Sequence, residues 1–341
     1  MPDHLPTGPL IVGLQGQRPS AREREWLRDP RVGGVILFDR NLGAPQQVRE
    51  LCAELHALRE PPLLVSVDQE GGRVQRLRDG VLRLPPMARL GALHDADPPA
   101  ALARAHEFGL VLAADCLGCG IDLSYTPVLD LDHGLSTVIG DRALHGDAQV
   151  VSALAGAFID GLERGGLRAV GKHFPGHGGL AADTHLEAAS DGRDLGTLWQ
   201  RDLAPYRALA GRLAAVMMAH VDFPAIDPRP AGYSPFWVSE VLRGRIGFGG
   251  AVVSDDLGMA AAQCGPPLER AQRALEAGCD LLLLCNEPQA TEAVLAGLVW
   301  SPGPEFAARF DGLRPHPVAG ADELAGAREA LAAWSAGLAH A

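Results

Sequence analysis

No stretch of this 341-residue chain reaches about 18 uninterrupted apolar residues, the length that a membrane-spanning helix requires. The opening residues, MPDHLPTGPLIVGLQG, lack a basic stretch followed by a long apolar one, so no secretory leader is expected. Positive charge is also short. Thirty Lys and Arg stand against 42 Asp and Glu, and the formal charge of −12 opposes nonspecific attraction to nucleic acid or to an anionic membrane surface. No Gly/Ser-rich linker and no shift in composition divides the chain. The expectation is a soluble, cytoplasmic protein that binds neither nucleic acid nor membrane and takes a small neutral or locally captured molecule.

Cysteine usage points the same way. The six cysteines are Cys52, Cys116, Cys119, Cys264, Cys279 and Cys285, several of them inside apolar runs where a reduced thiol acts as a small hydrophobe. Cys116-Leu-Gly-Cys119 has metal-like spacing, but no second Cys/His pair stands nearby to complete four ligands. HFPGHGG, at residues 173–179, lacks the Walker arrangement of glycines followed by Lys-Ser/Thr and so is not a phosphate cradle of that type.

What the chain does contain is an alternation of short apolar runs with longer amphipathic segments. Strands are expected at Pro9 to Gly13, Gly34 to Phe38, Leu63 to Asp68, Asp122 to Leu129, Arg168 to His173, Ala215 to Ala219, Ala251 to Asp255 and Asp280 to Cys285. Between them lie helix-like stretches such as PQQVRELCAELHALRE, DAQVVSALAGAFIDGLERGG and PLERAQRALEAG, with apolar residues recurring at three- and four-residue spacing. Eight such units predict an α/β fold, a single (β/α)₈ TIM-type barrel covering residues 1–341, with about 302–341 as a helical extension packed on the barrel.

Barrel active sites form at the carboxyl ends of strands. Polar residues fall there repeatedly: Asp68, Asp130 and Asp132, Lys172 and His173, His220, Asp255 and Asp256, and Asn286. The amino ends read as plainer, mostly Gly, Ala and Leu. Residues 171–185, GKHFPGHGGLAADTH, mix glycines and a proline with side chains that are costly to bury unpaired, the signature of a site loop. Within it, Asp183 stands two residues before His185, close enough to fix the tautomer of the ring and raise its proton affinity. Asp255, where an apolar run stops on an acid, suits a nucleophile. Alternation along a strand predicts that Asp256 faces away from the pocket. An isolated His173 or His220 would more simply be a core histidine, Asp68 a turn cap and Arg76 a surface ion-pair partner; their clustering favours function. His177 is expected to brace the loop.

The motifs together resemble a bacterial β-N-acetylhexosaminidase of glycoside hydrolase family three, the single-domain cytoplasmic type that recycles peptidoglycan. The resemblance runs through GGVILFDRN from Gly33, VDQEGGRVQRL from Val67, SYTPVLDLD from Ser124, IGDR ending at Arg142, GKHFPGHG with its trailing DTH, AHVDFPAIDPRPAGYSP from Ala219, VVSDDLGM from Val252 and LEAGCDLLLLCN from Leu275. It implies Asp255 as nucleophile, His185 as acid/base and Asp183 as its activating partner, with sugar contacts from Asp68, Arg76, Arg142, Lys172 and His173. It further implies a monomer acting on N-acetylglucosaminyl-1,6-anhydro-N-acetylmuramyl peptides with retention of configuration and no metal or organic cofactor. Thr184 stands where Ser is usual, and Arg142 is followed by Ala-Leu instead of a Ser-aromatic pair. Substrate-assisted or phosphorolytic cleavage, a β-glucosidase and a catalytically silent sugar-binding barrel are the alternatives.

Overall fold

The structure, a computed structural model, describes residues 3–180, 189–262, 264–316 and 321–338. Eight parallel strands form its centre: β1 (Leu10–Gly13), β2 (Val32–Leu37), β3 (Leu64–Val67), β4 (Leu123–Ser124), β5 (Val170–Phe174), β6 (Ala215–Met218), β7 (Ala251–Asp256) and β8 (Leu281–Leu284). Their order around the sheet is β4-β3-β2-β1-β8-β7-β6-β5. The two edges meet through Val170 N–H donating to Thr126 O (2.8 Å), Leu129 N–H donating to Lys172 O (2.7 Å) and a parallel bridge between Val128 and Lys172. The sheet thereby closes as a (β/α)₈ barrel. β4 is shorter than the sequence suggests because Pro127 has no N–H to give to a ladder, so the run to Leu129 continues as single bridging bonds.

Successive strand residues face opposite sides, and the barrel shows why its strands read as unbroken apolar runs. Ile11, Ile36, Leu64, Tyr125, Val170, Met217, Val253 and Leu283 fill the interior, while Leu10, Val12, Val35, Leu37, Val65, Val67, Val252 and Leu282 pack in the layer beneath the helices. Both faces exclude water, so neither needs polar residues. Phe306, Phe310 and Leu313, from the segment containing helix Phe306–Asp311, join the interior cluster and plug its amino end.

Helix Pro98–Gly118 begins on Asp97, which accepts the Ala100 N–H, and helix Ala148–Arg164 begins on Asp147, which accepts from Gln149 and Val150. These two helices pack so closely that a Cβ on Gly161 would lie 1.8 Å from the His106 carbonyl oxygen, which only glycine avoids. The C-terminal helix, Ala321–Leu338, lies on Pro98–Gly118 through buried Leu331 and an Arg328–Asp115 ion pair. No helix among the described residues is long and apolar enough to cross a membrane. The six cysteines are free thiols; Cys52, Cys116 and Cys119 are buried in the apolar layer, where burial pushes the Cys52 thiol up to about 12.

One expectation needs correcting. The amino ends are not plain, because acids there bind strands together. Asp122 accepts from Val65 N–H and lies 2.8 Å from His56 Nε2. Asp280 accepts from Val252 N–H (2.8 Å), Arg243 Nη2 (2.7 Å) and Arg309 Nη1 (3.1 Å).

Candidate active site

A cavity of about 420 Å³ opens at the carboxyl ends of the strands, and its lining includes Asp68, Arg76, Arg142, Lys172, His173 and Asp255. Six sequence-selected residues, drawn from segments nearly two hundred positions apart, thus share one space. Asp183 and His185 lie outside the described residues.

Lys172 is buried at the floor of this space, 2% exposed. Its ammonium lies 2.7 Å from Asp68 Oδ1 and 2.6 Å from Glu70 Oε1. Glu70 also binds Arg142 in bidentate fashion, accepting from Nε and Nη2 at 2.8 Å each. Burial opposes charge on Lys172, Glu70 and Arg142, but mutual attraction prevails. Glu70 is held well below the usual carboxylate range, and Lys172 is raised above the usual ammonium value. Glu70 reaches this position through a tight hairpin, Gln69–Gly71 against Val74–Gln75. Gly71 turns it at φ 103°, where a side chain would also meet the Pro85 carbonyl oxygen and the Phe108 ring at 2.7 Å.

His173 follows Lys172 directly, yet both line the cavity; the peptide bond between them is cis. The His173 Nδ1 lies 2.7 Å from Asp130 Oδ2, and the backbone N–H groups of His173 and His177 donate to the two oxygens of Asp130. Burial would raise the Asp130 carboxyl, but the two imidazoles and these N–H groups bring it below its ordinary value. Asp130 therefore fixes the start of the loop after β5. His177 lies in the same bracket and lines the cavity, its proton affinity lowered by burial and by neighbouring His173.

Across the cavity, β7 presents Asp255 and Asp256. Both line the space, which corrects the expectation that Asp256 faces away. Its role is nevertheless different. Asp256 Oδ1 accepts from Gly258 N–H (3.0 Å) and Cys285 N–H (3.1 Å), and Oδ2 accepts from Asn286 Nδ2 (3.1 Å), so this carboxylate ties β7 to the end of β8. Asp255 Oδ1 accepts the Asp256 N–H at 2.8 Å. His220, at the end of β6, does not line the cavity; it is 1% exposed, faces the Tyr233 ring at 5.5 Å, and is held neutral chiefly by burial.

The rim is arginine-rich. Arg76 Nη1 donates to Asp39 (3.1 Å), and the Arg76 and Arg40 guanidinium groups lie 5.9 and 4.8 Å from the Phe38 ring centroid. Arg73 donates to the carbonyls of Thr137, Val138 and Ile139, fastening the segment that delivers Arg142. On the β5 side, Arg193 joins Asp191 to Asp202, which also meets His133 at 2.9 Å. A Cβ on Gly179 would lie 2.6 Å from Arg193 Nη2, so both described limbs of the loop converge on this guanidinium.

Residues 8–302 match the glycosyl hydrolase family 3 N terminal domain. The chain belongs to glycosyl hydrolase family 3. The beta-hexosaminidase of Alkalilimnicola ehrlichii is 53% identical over 313 residues, which are 91% of this chain and 90% of that protein. Native NagZ from Neisseria gonorrhoeae superposes with a TM-score of 0.91 at 42% identity, covering 98% of this chain and 99% of that one. The same figures hold for Neisseria gonorrhoeae NagZ in complex with N-trifluoroacetyl-D-glucosamine. The family 3 chain is thus a glycoside hydrolase, with the barrel that its sequence predicts.

Two buried acids of this hydrolase are given no role by its sequence. Glu70 stands two residues after Asp68, a spacing that puts both on one side of an extended segment, and that signal was available. Asp130 is legible only as one of several acids after β4. A further signal lay in composition: Lys172 is the only lysine in the chain.

Proposed function

We propose that the protein is a retaining β-N-acetylglucosaminidase that removes terminal β-linked N-acetylglucosamine from 1,6-anhydro-muropeptides during peptidoglycan recycling in the cytoplasm. The observation that carries this reading is the opposition of Asp255 to the Asp68–Lys172–Glu70–Arg142 network across one cavity, since a ring held by that network has a carboxylate before it. The beta-hexosaminidase relatives and the bound N-trifluoroacetyl-D-glucosamine in the Neisseria protein support an N-acetylated sugar.

In this reading Asp68 accepts from sugar hydroxyls, and Lys172, Arg142, Arg76 and His173 donate to hydroxyl or acyl oxygens. Asp255 forms a bond to the anomeric carbon as the glycosidic C–O bond breaks, and the His185 imidazolium gives its proton to the departing oxygen. Water then bonds to that carbon, its proton passes to neutral His185, and the Asp255 carboxylate leaves, so configuration is retained. Asp183 holds His185 in the required tautomer. A slow 5-fluoro N-acetylglucosaminide tests the scheme: the sugar should be found on an Asp255 peptide by mass spectrometry. Turnover without any such adduct would favour attack by the substrate's own acetamide.

A further inference from the structure

Glu70 has no part in the scheme above, yet the cavity is built around it. Its side chain is 2% exposed, with Oε1 serving both Lys172 and Arg142 and Oε2 serving Arg142. An ammonium has three N–H groups, and two of those on Lys172 are directed to Asp68 and Glu70. A guanidinium has five, of which Arg142 directs two to Glu70 and one to the Val138 carbonyl. The remaining donors belong to side chains that border the cavity. The charges also balance: with Asp68 alone, Lys172 and the partly buried Arg142 would share one anion, whereas Glu70 makes two against two.

We propose that Glu70 is a positioning residue, holding Lys172 and Arg142 in one rigid array so that their remaining N–H groups form a fixed donor set for the hydroxyl and acyl oxygens of the sugar. This rests on the N-acetylglucosaminidase reading for the identity of the ligand. It assigns the selectivity of the site partly to a side chain whose own oxygens face protein cations. A bidentate carboxylate fixes the plane of a guanidinium, which a single acceptor cannot do. It also keeps Lys172 protonated, together with Asp68 and against the like charge of Arg142.

The single lysine makes the test direct. Glu70→Gln keeps the size of the side chain but removes its charge and replaces one acceptor with an N–H donor. In the folded variant, kcat/KM for an aryl β-N-acetylglucosaminide should fall by roughly 100-fold, the scale of a misaligned charge-assisted hydrogen bond or two. Cyanate at fixed mildly alkaline pH should carbamoylate Lys172 faster than in wild type, because losing a neighbouring anion lowers its proton affinity; the α-amino group is the internal reference. Asp115→Asn, which takes a buried carboxylate from Arg328 on the outer helices, should change neither readout. A folded Glu70→Gln with kcat/KM within about threefold of wild type, or with unchanged labelling of Lys172, overturns the proposal. If that variant does not fold, Glu70→Asp decides: charge retained but reach shortened should leave labelling slow and lower kcat/KM, and unchanged kcat/KM overturns the proposal. A wild type that cleaves no N-acetylglucosaminide counts against the proposed reaction instead, and the labelling comparison still judges Glu70.

Discussion

The two ends of this barrel carry similar chemistry in opposite arrangements. At the amino end, Asp280 joins Val252 N–H, Arg243 and Arg309, and the aromatic plug of Phe306 and Phe310 fills the space beside them. At the carboxyl end, Asp68, Glu70, Lys172 and Arg142 are equally well paired, but they surround a cavity of about 420 Å³. Charge density therefore does not distinguish a site from a brace. The difference is that Asp122 and Asp280 at the amino end each take a backbone N–H of an adjoining strand, while Asp68 and Glu70 pair with Lys172 and Arg142, cations that have donors left over. One end transmits rigidity, and the other turns it toward an open cavity.

The comparison breaks most visibly at Asp255. Asp255→Ala should lower turnover of a β-N-acetylglucosaminide by about 10⁴-fold or more, the scale seen when a nucleophile is removed. The variant should remain folded and still bind N-acetylglucosamine, measured by calorimetry. Turnover within tenfold of wild type would remove Asp255 from the nucleophile role.

The complementary substitution is Asp280→Ala at the amino end. It leaves Arg243 and Arg309 partly buried without their shared anion and removes the acceptor for Val252 N–H. Unfolding in urea should show a loss of about 3 kcal/mol, while kcat/KM of the folded protein stays at the wild-type value. A variant that keeps its stability but loses activity would show that the two ends are not separable in this way.

This division also explains what the sequence could disclose. β1, β2, β7 and β8 were legible because both of their faces are apolar, so that a run such as Leu281–Leu284 has no competing reading. β4 was overestimated because hydropathy does not register the missing N–H of Pro127. The polar clustering after β3, β5 and β7 marked the rim, and Asp68, Arg76, Arg142, Lys172, His173 and Asp255 do surround one cavity. Pairing was not legible. Nothing local says that Glu70 reaches Arg142 across 72 positions, or that Asp256 turns to Cys285 N–H while Asp255 does not. Nor does a bare acid count separate Asp280, which braces, from Asp255; only the barrel's polarity, with strand starts at one end and strand ends at the other, does so.

The smallest effect is expected from the imidazoles of the carboxyl end, and it reads their burial directly. His220 and His177 are held neutral mainly by burial, and the nearby anions Asp255 and Asp130 do not reverse this. Their folded proton affinities lie below that of an unfolded histidine, near 6.5, so the unfolded chain binds more protons as the pH falls. Stability from this source is present above about pH 6.5 and is lost below it until the folded groups themselves protonate. The slope approaches about 1.4 kcal/mol per pH unit for each group. Glu70 and Asp130 are depressed as well, but as carboxylates they act only below about pH 4.3, the ordinary value for glutamate, and leave the window from about 6.5 to 5.5 to the histidines. Urea unfolding at successive pH values should therefore show a decline in that window, and His220→Gln should remove about half of it by taking away one of the two titrations. An unchanged slope in the variant would mean that folding leaves the proton affinity of His220 where it was, and a steeper one that Asp255 and Asp256 outweigh burial and keep His220 protonated in the fold. The carboxyl end would then carry one more cation than its pairing suggests.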